Sequence, residues 1–386
     1  MYACNDVDAE KITTMKFAIF THVVHGKSST NYFAYSPYVN EMNIWLHHVD
    51  EVIIVAPLSK NEQTPIDLTY SHDTIHFKSV PEFHIKNSKS FFKTLVSLPK
   101  ILFVIYNAMK RADHIHLRCP GNIGLLGCFV QILFPAKSKT AKYAGNWDSK
   151  SKQPLSFRFQ KWILSNPFLT KNMQVLVYGE WENNTKNIKP FFTASYFEKD
   201  KIDVKPRKLE GKISFVFVGT LSNGKQPLYA IRIVEQLYNK GKDVQLTLYG
   251  EGDKRTMIEN YISENKLETF IFIKGNQNQE TIKKAYSKSH FVILPSLSEG
   301  WPKAIAEGMF WGCMPIASEV SCISTMLDAG KRGILLHLDF NEDLIQIETI
   351  LNDDSAYKQK VENAIQWSRN YTLDVFEDEI KQLLQS

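Results

Sequence analysis

The chain has 386 residues, more than one compact core holds, so its length predicts two domains of roughly 150 to 200 residues each. Its composition, 44% hydrophobic and 23% charged, excludes a fibrous or intrinsically disordered polypeptide. The net charge of +5 is unevenly held: residues 1–207 carry 26 Lys+Arg against 17 Asp+Glu and the remainder 20 against 24, which suits the first half to an anionic membrane surface or a phosphate-bearing substrate, while the scatter of its basic residues argues against nucleic acid.

In chain order, residues 1–14 (MYACNDVDAEKITT) lack the basic-then-apolar order of a signal peptide and read as an extension ahead of a second plausible start at Met15. They contain the only DxD, Asp6 to Asp8, which follows no strand and reads as chance. Strand-like apolar runs at 16–21, 51–56, 114–117, 140–144 and 175–178 predict the parallel sheet of a first doubly wound domain over 15–205. The aromatic stretch 32–45 (YFAYSPYVNEMNIW) reads as a loop leading to a helix, with core packing as the alternative to a substrate role. Residues 90–111 interleave apolar side chains with Lys93, Lys100, Lys110 and Arg111, as a core helix with a solvated basic edge or a helix lying in a membrane interface would. The longest apolar runs, 101–106 and 123–134, are too short to span a bilayer. After a polar, irregular zone at 180–211, strands recur at 213–218, 245–249, 270–273, 291–294 and 314–317, with amphipathic helices at 227–239 and 302–311. This is a second doubly wound domain over 206–370, followed at 371–386 by a helix expected to pack back on the first domain. Five cysteines without a CxxC pair or ligand spacing indicate neither a disulfide framework nor zinc, and point to a reducing, cytoplasmic setting with peripheral contact at the inner face of a membrane left open.

Ligands of such folds bind beyond the carboxyl ends of the strands. The segments to inspect are therefore 219–225, 250–255, 274–276 and 295–302. In the last, Pro302 suits a first helical turn, Gly300 permits close backbone approach, and the free N–H groups of the new helix favour an anion. Glu299 at the mouth and Glu307 about a turn and a half into the helix are two carboxylates suited to sugar or ribose hydroxyls.

Glu299 to Glu307 is an E-x7-E motif, and the surrounding LPSLSEGWPKAIAEGMFWGCMPIAS, with FVFVGTLSNGKQPLYAI, LTLYGEGD and GILL, resembles the donor site of retaining glycosyltransferase family 4 over residues 215–370. The resemblance implies a GT-B fold, two Rossmann-like domains facing a central cleft, and a metal-independent retaining transferase that needs no cofactor beyond its nucleotide sugar, a UDP- or GDP-sugar. It implies that Glu299 contacts donor-sugar hydroxyls, that Glu307 binds the ribose, and that Ser298 and the turn Gly300, Trp301, Pro302 help hold sugar and diphosphate. Gly219, Gly250, Gly252, Lys274, Gly275 and Asn276 would line the same donor site. The family's post-strand G-R-L-x-x-x-K is here Gly219 to Lys225: Lys225 keeps a cation for the diphosphate, and Thr220 replaces the arginine. That loss removes a bidentate phosphate contact, an effect on the order of a few kcal/mol, unless Lys303, Arg255 or Lys254 compensates. Thr220 reads equally as a simple turn residue.

In the first domain Asp113 to Arg118 (DHIHLR) resembles the family's strand-end D-x-x-H-x-H, which puts His116 in place of the catalytic histidine facing the donor and Arg118 in place of the second. The family's glycine pair is reduced to Gly26, and Asn146 and Trp147 of YAGNWD are acceptor-side candidates or loop caps. Residues 32–45 loosely resemble capsule and exopolysaccharide glycosyltransferases, which suggests a glycan or lipid-linked acceptor. The rivals are a catalytically silent scaffold, motivated by Thr220 and the lone Gly26; a dinucleotide oxidoreductase, disfavoured because Gly250 to Arg255 lacks the third glycine and follows the wrong strand; and a sugar phosphorylase or epimerase of the same fold.

Overall fold

The computed structural model describes residues 14–29, 31–64, 66–82, 88–182 and 184–385, with the backbone alone over 88–95. The expected extension, Asp6 and Asp8 included, lies outside the described residues apart from Thr14.

Seven strands form the first sheet: β1 (Lys16–Phe20), β4 (Glu51–Ala56), β6 (Ile75–Ser79), β7 (His114–Cys119), β8 (Ser138–Tyr143), β9 (Met173–Tyr178) and β10 (Ile188–Phe191). All pair parallel, in the order β10-β9-β8-β7-β1-β4-β6. Their near-continuous apolar runs follow from burial on both faces. On one face lie α2 (Ser88–Arg111), α3 (Asn122–Val130) and α4 (Leu155–Leu164); on the other, α1 (Ser36–Leu46), so the domain has two cores back to back. Short strands β2 (Gly26–Ser28) and β3 (Asn31–Tyr35), between β1 and α1 in the chain, and β5 (Asp67–Thr69), after β4, make a separate antiparallel sheet.

The second sheet orders β11 (Ile213–Val218), β12 (Val244–Tyr249), β13 (Ile271–Ile273), β14 (Phe291–Leu294), β15 (Met314–Ser318) and β16 (Ile334–Leu336) as β13-β12-β11-β14-β15-β16, again all parallel. Around it run α5 (Pro227–Asn239), α6 (Arg255–Glu264), α7 (Gln279–Tyr286), α8 (Lys303–Phe310), α9 (Ile323–Met326), α10 (Phe340–Leu351) and α11 (Asp354–Ser368). In both sheets the winding reverses beside the first strand of the domain, between β1 and β7 and between β11 and β14. Those reversals open a crevice beyond the strand ends, where ligands of such sheets bind.

The expected strands are all present. Apolar patterning missed the edge strands β6, β10 and β16 and the small antiparallel sheet. Edge strands are shorter and partly polar; β10 even carries Pro190, tolerated because its missing N–H falls at a sheet edge. The irregular zone at 180–211 thus contains a strand, and the aromatic loop at 32–45 is β3 running straight into α1.

The two domains are joined three ways. Residues 192–212 cross from one to the other. The last helix, α12 (Leu373–Gln385), lies in the first domain's core, where Phe376 meets the Phe191 ring at 5.4 Å and Glu379 pairs with Lys189 at 2.6 Å. Between them, the Trp301 ring packs among Tyr178, Phe192, Trp367 and Tyr371, with centroids 5.3 to 6.4 Å apart.

Candidate active site

The loops after β11, β12 and β13 are laced together. Leu221 N–H donates to the Glu251 carbonyl, Lys254 N–H to the Leu221 carbonyl, and Gly250 N–H to the Gly275 carbonyl. Gly250 has φ +146°, and a β-carbon there would lie 1.9 Å from the Gly219 carbonyl oxygen, so only glycine lets the two loops touch. A rigid floor of backbone results, carrying Gly219, Thr220, Gly252 and the exposed Lys274 and Asn276.

Against this floor stands the loop after β14. Leu297 N–H donates to the Gly224 carbonyl at 2.8 Å, fixing the loop beside residues 219–225. Lys225 Nζ then reaches Glu299 Oε1 at 2.5 Å; the carboxylate is 6% exposed and the lysine 29%. Gly300 presses on the first domain, where a β-carbon would meet the Ala144 carbonyl at 2.6 Å, and Asn146 Nδ2 faces Ser298 Oγ at 3.5 Å. Glu299 therefore sits in the crevice, between the switch point of its own sheet and the strand ends of the other.

Glu307 is positioned by α8, whose Gly308 lies against Val292 of β14. Its carboxylate accepts from Ser195 Oγ at 2.5 Å and from Tyr286 Oη at 3.4 Å, and its charge helps raise the pKa of Tyr35, which burial raises first. Tyr35 belongs to the first domain and Ser195 to the crossover, so Glu307 also faces the domain junction. Its present partners are Ser195 of the crossover and Tyr286 at the end of α7, not the Lys225–Glu299 pair. Ser195 and Tyr286 carry no local motif that would single them out in the sequence.

Several expected site residues stand elsewhere. Trp301, expected at the donor, points into the aromatic junction, because a large apolar ring at the domain boundary is more stable packed than lining a polar cleft. Pro302 is buried and caps α8. His116 is fully buried in β7, stacked on Phe17 at 5.6 Å and near Trp45 at 4.8 Å, with Nδ1 2.8 Å from Thr140 Oγ1. Burial, then the neighbouring His114, drives its pKa well below the usual value, so it is a neutral core residue closed off from the crevice. His22, beyond the end of β1 and against Gly121, stands closer to the switch point. Arg118 is held by Glu41 at 2.8 Å and is 14% exposed. Lys142, its neighbour on β8, bonds the same carboxylate at 3.0 Å. Burial would raise the pKa of Glu41, but Lys142 and Arg118 outweigh it and hold it at about 2. Gly26 lies beneath the Phe33 ring and Trp147 is buried against Tyr143, so neither lines an open acceptor groove. Among the proposed compensating cations, Arg255 is paired with both Glu251 and Glu259.

Comparison with known proteins shows what the segment that holds this site is similar to. The family "Glycosyl transferases group 1" matches residues 198–367, the segment that holds the floor, the Lys225–Glu299 pair and Glu307. Along nearly its whole length the chain superposes on the crystal structure of Anabaena Alr3699/HepE in complex with UDP and glucose, with a TM-score of 0.70, 14% identity and coverage of 96% of this chain and 100% of that one. The chain has the GT-B fold, and residues 198–367 of its C-terminal domain match the group 1 glycosyltransferase family. Alpha-D-kanosaminyltransferase of Streptomyces kanamyceticus is 26% identical over 157 residues, 40% of this chain and 41% of that protein. Protein CapJ of Staphylococcus aureus is 22% identical over 364 residues, 89% and 88% of the two chains. The chain spans less than half the length of the first curated relatives it matches, between 22% and 45%.

Proposed function

We propose that the chain is a retaining glycosyltransferase of family 4 that moves a hexosyl or related sugar from a UDP- or GDP-sugar to a glycan or lipid-linked oligosaccharide, in cell-surface polysaccharide assembly on the cytoplasmic side of a membrane. The observation that carries this is the Lys225–Glu299 pair, a buried carboxylate and a half-buried lysine in the crevice at the switch point of a domain that matches the group 1 family. A diphosphate entering over the backbone floor offers the Lys225 ammonium a doubly charged partner. Glu299 is then released to accept hydrogen bonds from sugar hydroxyls, which are stronger to a carboxylate than to a neutral oxygen. Charge building on the departing phosphate is stabilised by Lys225 and the loop amides, preorganised before the bond breaks. Same-face attack with the phosphate assisting acceptor deprotonation needs no protein nucleophile and no metal, so Glu299 acts as a clamp on the sugar. Glu307 takes the ribose once Ser195 yields its hydrogen bond. The likeness to CapJ over most of both chains supports a capsule-type acceptor.

The test is a thermal-shift screen of UDP- and GDP-sugars followed by turnover of the best ligand with a lipid-linked oligosaccharide panel. Glu299→Ala is expected to lower kcat by about 10²-fold or more with modest effect on nucleotide binding, and Glu307→Ala to weaken binding chiefly. Unchanged activity in both variants overturns the assignment. The exposed Thr220 in place of an arginine favours one second reading, a catalytically silent scaffold. Binding without turnover across the whole acceptor panel would decide for it.

A further inference from the structure

The outward side of α2, α3 and α4 is apolar where a solvated helix layer is ordinarily polar. On α2 the inward stripe of Ile101 and Ile105 is buried, yet Val96 and Phe103, seven residues apart and so on one side of the helix, are 81% and 68% exposed. On α4, Leu155 is 78% and Trp162 57% exposed. Rings join the helices across the surface: Phe129 of α3 packs on Phe159 of α4 at 5.6 Å, and Phe159 stacks on Trp162 at 5.6 Å and 10°. Exposed apolar side chains on three helices that cover one face of the sheet, joined by rings between α3 and α4, mark an interaction surface.

The surrounding charge selects the partner. Residues 88–172 contain 14 Lys and Arg and only two acids, Asp113 and Asp148. Exposed Lys100 and Arg158 are set among the apolar side chains themselves. A second copy of this chain docking through the same face would oppose like charges. An anionic lipid surface meets both features at once, taking up the rings at the acyl boundary and pairing the long basic side chains with headgroup phosphates. We propose that the outer face of α2, α3 and α4 docks the chain on anionic lipid bilayers. The loop from β8 to α4 carries Asn146, which faces Ser298 beside Glu299, and Gln153 just before α4 donates to the Asn146 carbonyl, so the start of α4 is tied to the loop at the crevice. If the transferase reading holds, an acceptor anchored in that bilayer reaches the crevice without leaving the lipid surface; the docking itself does not depend on that reading.

The full chain is tested by co-sedimentation with vesicles of mixed phosphatidylglycerol and phosphatidylcholine and with vesicles of phosphatidylcholine alone. Wild type is expected to bind the anionic vesicles roughly tenfold more, and Phe103→Ser/Trp162→Ser and Lys100→Glu/Arg158→Glu each to remove most of that excess. These positions are exposed, so both variants should keep the wild-type circular dichroism and melting temperature. Brominated lipid should quench wild-type tryptophan fluorescence more than that of Trp162→Ser. Wild type remaining in the supernatant overturns the proposal, as does an apolar variant that sediments normally. A dimer in analytical ultracentrifugation that the apolar variant dissociates would reassign this face to a protein interface. Vesicle binding without a thermal shift from any UDP- or GDP-sugar refutes the transferase reading alone; the converse refutes the docking alone.

Discussion

Glu299 and Lys225 are 74 residues apart in sequence and meet because each ends a loop at the same reversal of the sheet. Next to them Thr220 is exposed at the end of β11 and holds no partner that an arginine would displace. Thr220→Arg is therefore expected to raise kcat by about tenfold, the worth of one added phosphate contact, with little change in melting temperature. An unchanged kcat would mean that Lys225 already suffices. Away from the site, His25 and His114 are buried and neutral, with burial lowering both pKa values to about 4, and His116 lies well below 6.5. Thr140 Oγ1 lies within hydrogen-bond distance of both rings, 2.9 Å from His114 Nε2 and 2.8 Å from His116 Nδ1. Because the unfolded chain binds these protons more readily, stability is fully present above about pH 6.5 and is lost as pH falls toward 4. The slope approaches about 1.4 kcal/mol per pH unit per histidine. Thermal melts from pH 8 to 4.5 should show this decline, and His114→Phe/His116→Phe should flatten it.

Among the elements, α8 matters most, because it begins at the crevice and carries Glu307. Its closeness to β14 depends on Gly308, where a β-carbon would sit 2.6 Å from Val292 Cγ1. Alanine is the better helix former by about 1 kcal/mol, yet here the overpacking, about 1 to 3 kcal/mol, should outweigh it. Gly308→Ala is thus predicted to lower the melting temperature and to weaken UDP-sugar binding by pushing Glu307 off the junction. Binding titration together with a melt measures both, and Gly308→Ala/Val292→Ala should recover part of each loss. The strands and helices of the second domain were legible because each is a run with one clear period: FVIL in β14 and the apolar stripe of α5. The edge strands β10 and β16 were not, since an edge position relaxes the demand for a continuous apolar run and leaves composition with little to signal.

For the molecule as a whole, the junction around Trp301 sets how the two lobes face each other. Trp301→Ala would remove the ring that Tyr178, Phe192, Trp367 and Tyr371 share, at an expected loss of about 2 to 4 kcal/mol given its partial exposure. It should also broaden the distribution of interdomain distances. Small-angle scattering with and without UDP-sugar checks this: a larger radius of gyration in the ligand-free variant is expected, and an unchanged one would show that α12 and the crossover hold the lobes by themselves.

Local sequence determined the alternation of strand and helix, hence two doubly wound sheets, and the loops at their strand ends, hence Glu299 and Glu307 as the groups to examine, to which the family resemblance added Lys225. Those signals are carried by neighbours in the chain: hydrophobic period, a proline at a helix start, a glycine where backbone must come close. Tertiary structure decided what each group faces. It packed Trp301 into the aromatic junction between the domains, sealed His116 into the core, tied Arg118 to Glu41, and set Ser195 against Glu307. Such outcomes depend on which surfaces meet when each domain packs and when the two dock, a matter of contacts between residues far apart in the chain, 24 positions for His116–Thr140 and 112 for Ser195–Glu307, that no local pattern encodes.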